Sequence, residues 1–448
     1  MKPQDMQVLE ELVGSQNVIS DAKRLTSGSK DCYHFSPVLK PQLDGCLADA
    51  IVRPEDQEQL IELIAWAAKN RIPITPRGAG TGNYGQGVPL RGGIMINTRN
   101  LNKIVSINKE SARVEAGVIL LDIENQAASH GAELRCFPST VPTSHTGGFI
   151  TGGSGGIGSI EWGLLREKDN VKGARIITVE EKPRVLHLER KDLDGVLHNC
   201  GLTCFVAEVT LGLAPKTRWH QYVLSYDDFY SALSAGKYLA QADEIKKRLV
   251  TVFEWPVPTF FAPLHRKDIF REGSSVVFLY TDLTADELAP HIDPFGGEIT
   301  YSVAPALDQS RGTQIYDYTW NHTTQWAMKK DKGFTYLQDR FDIDRIESQI
   351  KARKAKFPEM LEHVEFIRDA GKVVSGGLSL LQFSTEDRLK ELINYCEDND
   401  IRVANPHTHY LDDDTRWYGD AFLKCKAEWD PYRLLNPGHL HAHERDPH

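Results

Sequence analysis

The chain has 448 residues, 41% hydrophobic and 25% charged, a globular mixture too long for one compact core, so two or three domains are expected. Acids outnumber bases 62 to 52, a formal charge of -10, which opposes binding to nucleic-acid backbones. Seven cysteines, an odd number in a large chain, argue against a disulfide framework and for a reducing compartment.

The N-terminal "MKPQDMQVLEELVG" has no apolar leader region, and no later run approaches the ~20 apolar residues of a membrane span. A cytoplasmic protein that is not transmembrane is therefore expected. "DAIVRPEDQEQLIELIAWAAKNRIPITPRGAG" reads as strand, Pro-started helix and strand, with Leu60, Leu63, Ile64 and Ala67 forming the helix's apolar face. β-Branched runs then alternate with one helical stretch up to "FVAEVTLGLAP", where Pro215 suggests a boundary. Cys200 and Cys204, in "CGLTC", lack the second pair of a structural zinc site and are expected to be buried thiols beside a strand. Beyond residue 217, "QYVLSY", "SVVFLYTDL" and "EITYSVA" look like strands, with "DDFYSALSAGKYLAQ", "ADELAPHI" and "EDRLKELINYCEDND" as helices. The expected class is α+β, with an antiparallel sheet in this later part.

Two stretches match G-x-G-x-x-G: "GTGNYG" from Gly80 and "GSGGIG" from Gly153. A dinucleotide fingerprint needs a helix after it, and Gly87, Pro89, Gly92 and Gly93 occupy the place of that helix in the first copy. The second has a possible helix, "SIEWGLLREKDNV", and Glu180 near the ribose position, but it lacks the buried strand that should precede it. Glycine loops also form concave amide nests that bind anions, so "RGAGTGN" and "TGGFITGGSGG" could grip opposite sides of one diphosphate. Tight turns alone are the simpler alternative.

The segments "IVRPEDQEQL", "IPITPRGAGTGNYGQG", "FPST", "HTGGFITGGSGG", "WGLLREKDNVKGARII", "AEVTLGLAP" and "DPYRLLNPGHL" occur in that order. In this the chain resembles the FAD-linked oxidases of the vanillyl-alcohol oxidase type, and looks most like the branch holding the D component of glycolate oxidase and D-lactate dehydrogenases. The resemblance implies a PCMH-type FAD-binding domain of two α+β subdomains over residues 1–216, an α+β substrate or cap domain over 217–410, and a segment 411–448 returning to the first domain. It implies that Arg77, Gly78, Ala79, Gly80, Thr81, Gly82 and Asn83 wrap the FAD diphosphate. Pro138, Ser139, Thr140, Thr146, Gly147 and Gly148 would line the ribityl chain and flavin, while Gly153, Ser154, Gly155 and Gly156 close the other side. Phe205 and Val206 would meet the adenine, and Asn436 would come back toward the flavin.

Members that attach flavin covalently carry a histidine or a cysteine near the positions of Thr81 and Val141, so noncovalent FAD is expected. Cys204 replaces a usual glycine, and the "GDGNLH" and "GEHG" segments of metal-dependent hydroxy-acid members are absent, a departure that counts against the 2-hydroxy acid assignment specifically; no metal is expected. The implied activity is oxidation of C–OH in a small hydroxylated substrate, such as the 2-hydroxy acids glycolate or lactate. Its electrons would pass to oxygen, a quinone or a carrier protein. A sugar or alditol oxidase, a flavin-bearing subunit active only in a larger complex, and a homo-oligomer stay open.

Histidine suits removal of the hydroxyl proton at neutral pH. In "NPHTHYLDDD" an extended chain would put His407 and His409 on one face, as a base, as metal ligands or as ordinary strand-edge residues. In "YDYTWNHTTQWAMK" the spacing of Tyr316, Tyr318, Trp320 and His322 predicts an aromatic wall, serving either a site or the core. Arg311 or Arg99 would meet a substrate carboxylate. The tail histidines 439, 441, 443 and 448 are expected to be mobile and solvent-facing.

Overall fold

The computed structural model describes residues 1–167, 169–305, 314–412 and 420–441. Three sheets of four, six and eight strands dominate it, with a fourth of three strands.

The expected β-α-β unit is present as strand Ala50–Val52, helix Gln57–Lys69 and strand Ile74–Arg77. Both strands pair in parallel with Ile94–Asn97, which lies between them. Leu60, Leu63, Ile64 and Ala67 are fully buried, as the 3.6-residue period requires. Pro54 does not start this helix: Asp56 caps it, its carboxylate accepting the Gln59 amide, because a side-chain acceptor satisfies an otherwise orphaned N–H.

The six-stranded sheet is antiparallel and centred on Phe205–Pro215, which pairs with Ser111–Glu115, Ala132–Leu134 and Val171–Ile177. The second glycine stretch follows a seven-residue helix, Thr146–Gly152, where a dinucleotide fingerprint needs a strand. Glu180 is bonded to Thr178 and Arg184. The nicotinamide geometry is therefore absent.

The eight-stranded antiparallel sheet includes the expected strands His220–Tyr226, Ser275–Thr281 and Glu298–Val303, and continues through Lys247–Phe253, His363–Asp369, Lys372–Gly377, Gln338–Arg340 and Arg402–Ala404. Helices Phe229–Gln241, Ala285–Ile292 and Glu386–Asp398 stand where their apolar spacing puts them.

Arg248, 2% exposed, ties this sheet to the earlier half of the chain. Its guanidinium donates to Leu134 O at 2.7 Å, lies 3.5 Å from Glu124 and 3.6 Å from Glu133, and covers the Phe137 ring. At the other end of the chain, Ile74 N donates to Leu434 O and Asn436 N to Ile74 O. This brings residues 434–436 beside the strand that leads into the first glycine loop.

Two expectations fail on local geometry. Tyr316 and Tyr318 lie in the 3-10 turn Ile315–Tyr318, and His322 in the helix Asn321–Lys330; the two-residue spacing that suggested a strand is carried by winding chain. His439 is fully buried, with its ring nitrogens at the carbonyls of His409 and Val88. His441 stacks on Tyr410, so neither of these tail histidines faces solvent freely; His443 and His448 lie outside the described residues. Cys200 and Cys204 are buried, and all seven cysteines are free thiols. Among the described residues no helix is long and apolar enough to cross a membrane.

Candidate functional site

A cavity of about 720 Å³ opens between the two glycine stretches and one end of the eight-stranded sheet. This size suits a small-molecule ligand.

Strand Ile74–Arg77 delivers the first glycine loop. The Arg77 guanidinium is buried under it and donates to the carbonyls of Lys30 and Gly87. Gly80 has φ +76°, and a Cβ there would strike that guanidinium, so only glycine lets the loop fold over the arginine. Beside it Asp31 accepts the amides of Tyr33 and Gly87; burial raises its pKa to about 6, against the opposing pull of Arg77. Asn83 donates to the Tyr336 hydroxyl, joining the loop to the later half of the chain.

Pro138, Ser139 and Thr140 form the second wall with the helix Thr146–Gly152. Ser144 Oγ lies 2.6 Å from Thr140 Oγ1 and 3.5 Å from Thr81 Oγ1, bridging the two stretches. The glycines sort by what a side chain would meet. At Gly147 and Gly156 a Cβ would collide with Ala116 and Phe137, so those two serve packing. At Gly78, Gly148 and Gly152 the nearest atoms lie at 3.5, 3.9 and 4.0 Å. All three line the cavity, so their missing side chains leave its space open. His145, 6% exposed, lines the same space, and its Nδ1 has no protein partner. Burial, then the charge of Arg99, lowers its pKa to about 4.

The opposite wall comes from the later half. Trp320, Asn321, His322 and Gln325 line it, and Trp320 Nε1 and Asn321 Oδ1 are buried without protein partners. The Nδ1 of His322 lies 3.1 Å from Asp317 O; donation to that carbonyl leaves Nε2 as the basic nitrogen. Burial lowers its pKa below the ordinary 6.5. Gln338, Arg340 and Arg402 complete the wall. Arg340 and Arg402 are register partners on adjacent strands, and like charges placed directly opposite are destabilising. Asp369 pairs with Arg340 at 2.7 Å, and Asp339, which also lines the wall, pairs with the buried Arg353.

Of the residues named from sequence for the cofactor, Arg77 to Asn83, Pro138, Ser139, Thr140, Gly147, Gly148, Gly153, Ser154, Gly155, Phe205 and Val206 line the cavity. Thr146 turns away, its hydroxyl donating to Val118 O. Asn436 stands behind the wall, donating to Gln86 O and Cys200 O. Of the three histidines, His322 lines the cavity and His407 and His409 do not. The strand there ends at Ala404, so the expected shared face does not form. His407 has Nδ1 at Ser36 Oγ and Nε2 at Tyr336 O, and burial lowers its pKa to about 4. Arg99 also stands off the cavity, and Arg311 lies outside the described residues. Among the described residues no group of three or more His, Cys, Asp or Glu could hold a metal.

Sequence reasoning missed Arg340 and Arg402, which come from three-residue strands with no local signature. It also passed over His145, although that residue stands inside the quoted "HTGGFITGGSGG".

Residues 48–186 match the FAD binding domain family. The chain is similar to glycolate oxidase subunit GlcD of Bacillus subtilis, 32% identical over 133 residues, 29% of this chain and 28% of that one. It is similar to D-lactate dehydrogenase of Archaeoglobus fulgidus, 30% identical over 42% of this chain and 44% of that one. To mitochondrial D-2-hydroxyglutarate dehydrogenase of Arabidopsis thaliana it is 24% identical, over 56% of this chain and 44% of that one. The matches therefore span less than half the length of these relatives. In fold it resembles alkyldihydroxyacetonephosphate synthase, with a TM-score of 0.74 at 15% identity, covering 98% of this chain and 86% of that structure.

Proposed function

We propose that this chain, whose residues 48–186 match the FAD binding domain family, oxidises the C–OH group of a small 2-hydroxy acid. The observation that carries this reading is one continuous cavity with open glycine walls on one side and a basic imidazole and two arginines on the other. The cavity fits FAD: three glycines keep it open, and His145 lines it with a buried nitrogen that no protein group satisfies. Gly78 to Asn83 and Gly153 to Gly155 would hold the diphosphate through backbone amides, and Pro138 to Thr140 with Gly147 and Gly148 would flank the flavin. Thr81 and Val141 stand where covalently flavinylated members carry a histidine or a cysteine, which supports noncovalent attachment.

When bound, FAD supplies an acceptor for the substrate's hydride. The chain's own residues do the rest. His322 Nε2 takes the hydroxyl proton, and burial keeps that imidazole neutral and ready at pH 7. Arg340 and Arg402, which both line the cavity, seat the carboxylate. Phe35, Ile367 and Leu378 add apolar surface to the wall, which limits water around the reacting carbon. Loss of the hydride, and of the proton that His322 takes, converts the 2-hydroxy acid to a 2-oxo acid, and oxygen, a quinone or a carrier protein would accept the two electrons overall.

The test is anaerobic mixing of the purified protein with glycolate, D- and L-lactate, D-2-hydroxyglutarate and a set of polyols. Loss of the flavin bands with at least one hydroxy acid is the expected result. Bleaching by polyols alone would instead support a sugar or alditol oxidase, and bleaching only after partner proteins are added would indicate a component of a larger complex.

A further inference from the structure

The wall that carries His322 begins with a strained turn. Trp320 has φ 53° and ψ -141°, a conformation that side-chain-bearing residues rarely adopt and that persists only where surroundings enforce it. Immediately after it the helix Asn321–Lys330 starts, and Trp320, Asn321, His322 and Gln325 reach the cavity.

The enforcing group is identifiable. Trp320 N donates to Glu365 Oε1 at 2.8 Å. The same oxygen lies 2.9 Å from His363 Nε2, and Thr251 Oγ1 donates to Oε2. Glu365 is 1% exposed and His363 is fully buried, with the His363 ring 4.6 Å from that of Phe253. Both sit on strand His363–Asp369, where residues two apart share a face. His363, Glu365, Ile367 and Asp369 therefore form one row, whose first half holds the Trp320 turn and whose second half lines the cavity.

A carboxylate is costly to bury, and donors on both oxygens lessen that cost without repaying it in an apolar core. Glycine at position 320 over an apolar residue at 365 would make the same reversal at less cost. We infer that Glu365 is a positioning residue: by anchoring the Trp320 amide it fixes the start of the helix and so the direction of His322. This rests on His322 being the base of the proposed reaction.

The experiment measures the limiting rate of anaerobic flavin reduction and the half-saturating hydroxy acid concentration in Glu365→Ala, Glu365→Asp, His322→Asn and Glu365→Ala/His322→Asn. Glu365→Asp keeps the charge but withdraws the acceptor from the Trp320 amide. Both Glu365 variants should retain FAD and reduce it about tenfold to hundredfold more slowly, the scale of a small misplacement of a catalytic group. The half-saturating concentration should move by less than about threefold, because binding is not the affected step. In the His322→Asn background, Glu365→Ala should cost nothing more. The near-ultraviolet circular dichroism of Trp320, isolated by subtracting Trp320→Phe, should change in Glu365→Ala irrespective of turnover.

Additive losses in the double variant, an unchanged rate in both Glu365 variants, or loss of FAD from both would overturn the inference. If no hydroxy acid bleaches the wild-type protein, the functional reading itself has failed. If bleaching occurs and only the Glu365 effects are missing, the positioning role alone has.

Discussion

Asn436 donates its side-chain amide to the backbone carbonyl of Gln86, 2.6 Å away across 350 residues of sequence. A second bond to Cys200 O at 3.0 Å makes one buried amide join the first glycine loop to the 199–204 loop, both of which contribute to the cavity. Asn436→Ala removes both bonds, each contributing about 1 kcal/mol. FAD affinity should fall by about tenfold or more, although residue 436 does not touch the cavity. Equilibrium dialysis of apoprotein against FAD checks this; unchanged affinity would remove the clamp from the account.

Gly148 should separate folding from cofactor binding. A Cβ there meets nothing closer than Gly78 Cα at 3.9 Å, so Gly148→Val leaves the apoprotein at least as stable, glycine being a poor helix residue. Its branched side chain occupies the cavity, and the purified variant should carry little or no FAD. A variant that melts normally and binds FAD as the wild type does would contradict the proposed cradle.

The pH dependence of flavin reduction should follow His322. Burial places its pKa below 6.5, so the neutral base is fully present above that value. It is lost as pH falls through the lowered pKa. The limiting rate should therefore have an acid limb centred below 6.5, and His322→Gln should abolish that limb and slow reduction by about 10²- to 10⁴-fold. An acid limb that survives this substitution would assign the proton transfer to another group.

Arg248 holds two buried carboxylates, Glu124 and Glu133, at the junction between the eight-stranded sheet and the first half of the chain. Arg248→Met strands both and should destabilise the protein by about 3–5 kcal/mol. Adding Glu124→Gln and Glu133→Gln should recover part of that loss, because no unpaired charge is then left behind. Chemical denaturation of the four-way series reads the effect directly.

Legibility in the sequence followed the range of the interactions involved. The helix Gln57–Lys69 and the strands at 220, 275 and 298 were readable because burial imposes a local period. The glycine loops were readable because their ordered motifs serve a backbone-lined wall. One residue was reached by the wrong route and two relationships were hidden. His322 was found through an alternation that the structure resolves into a 3-10 turn and a helix, so the residue reached the cavity by a different geometry from the one expected. His407 depends on Ser36 and Tyr336, 371 and 71 residues away, and nothing local announces such partners. Arg340 and Arg402 face each other only because two three-residue strands pair at the sheet's edge. Short strands carry too few alternating positions to register as a pattern.

The noncovalent FAD site is tested most directly by an absorption spectrum of the purified protein, taken before and after denaturation and filtration. Flavin bands on the native protein, and a filtrate containing all of the colour with the mass of FAD, are the expected result. A colourless protein that takes up no added FAD, or colour that stays with the denatured chain, would contradict it.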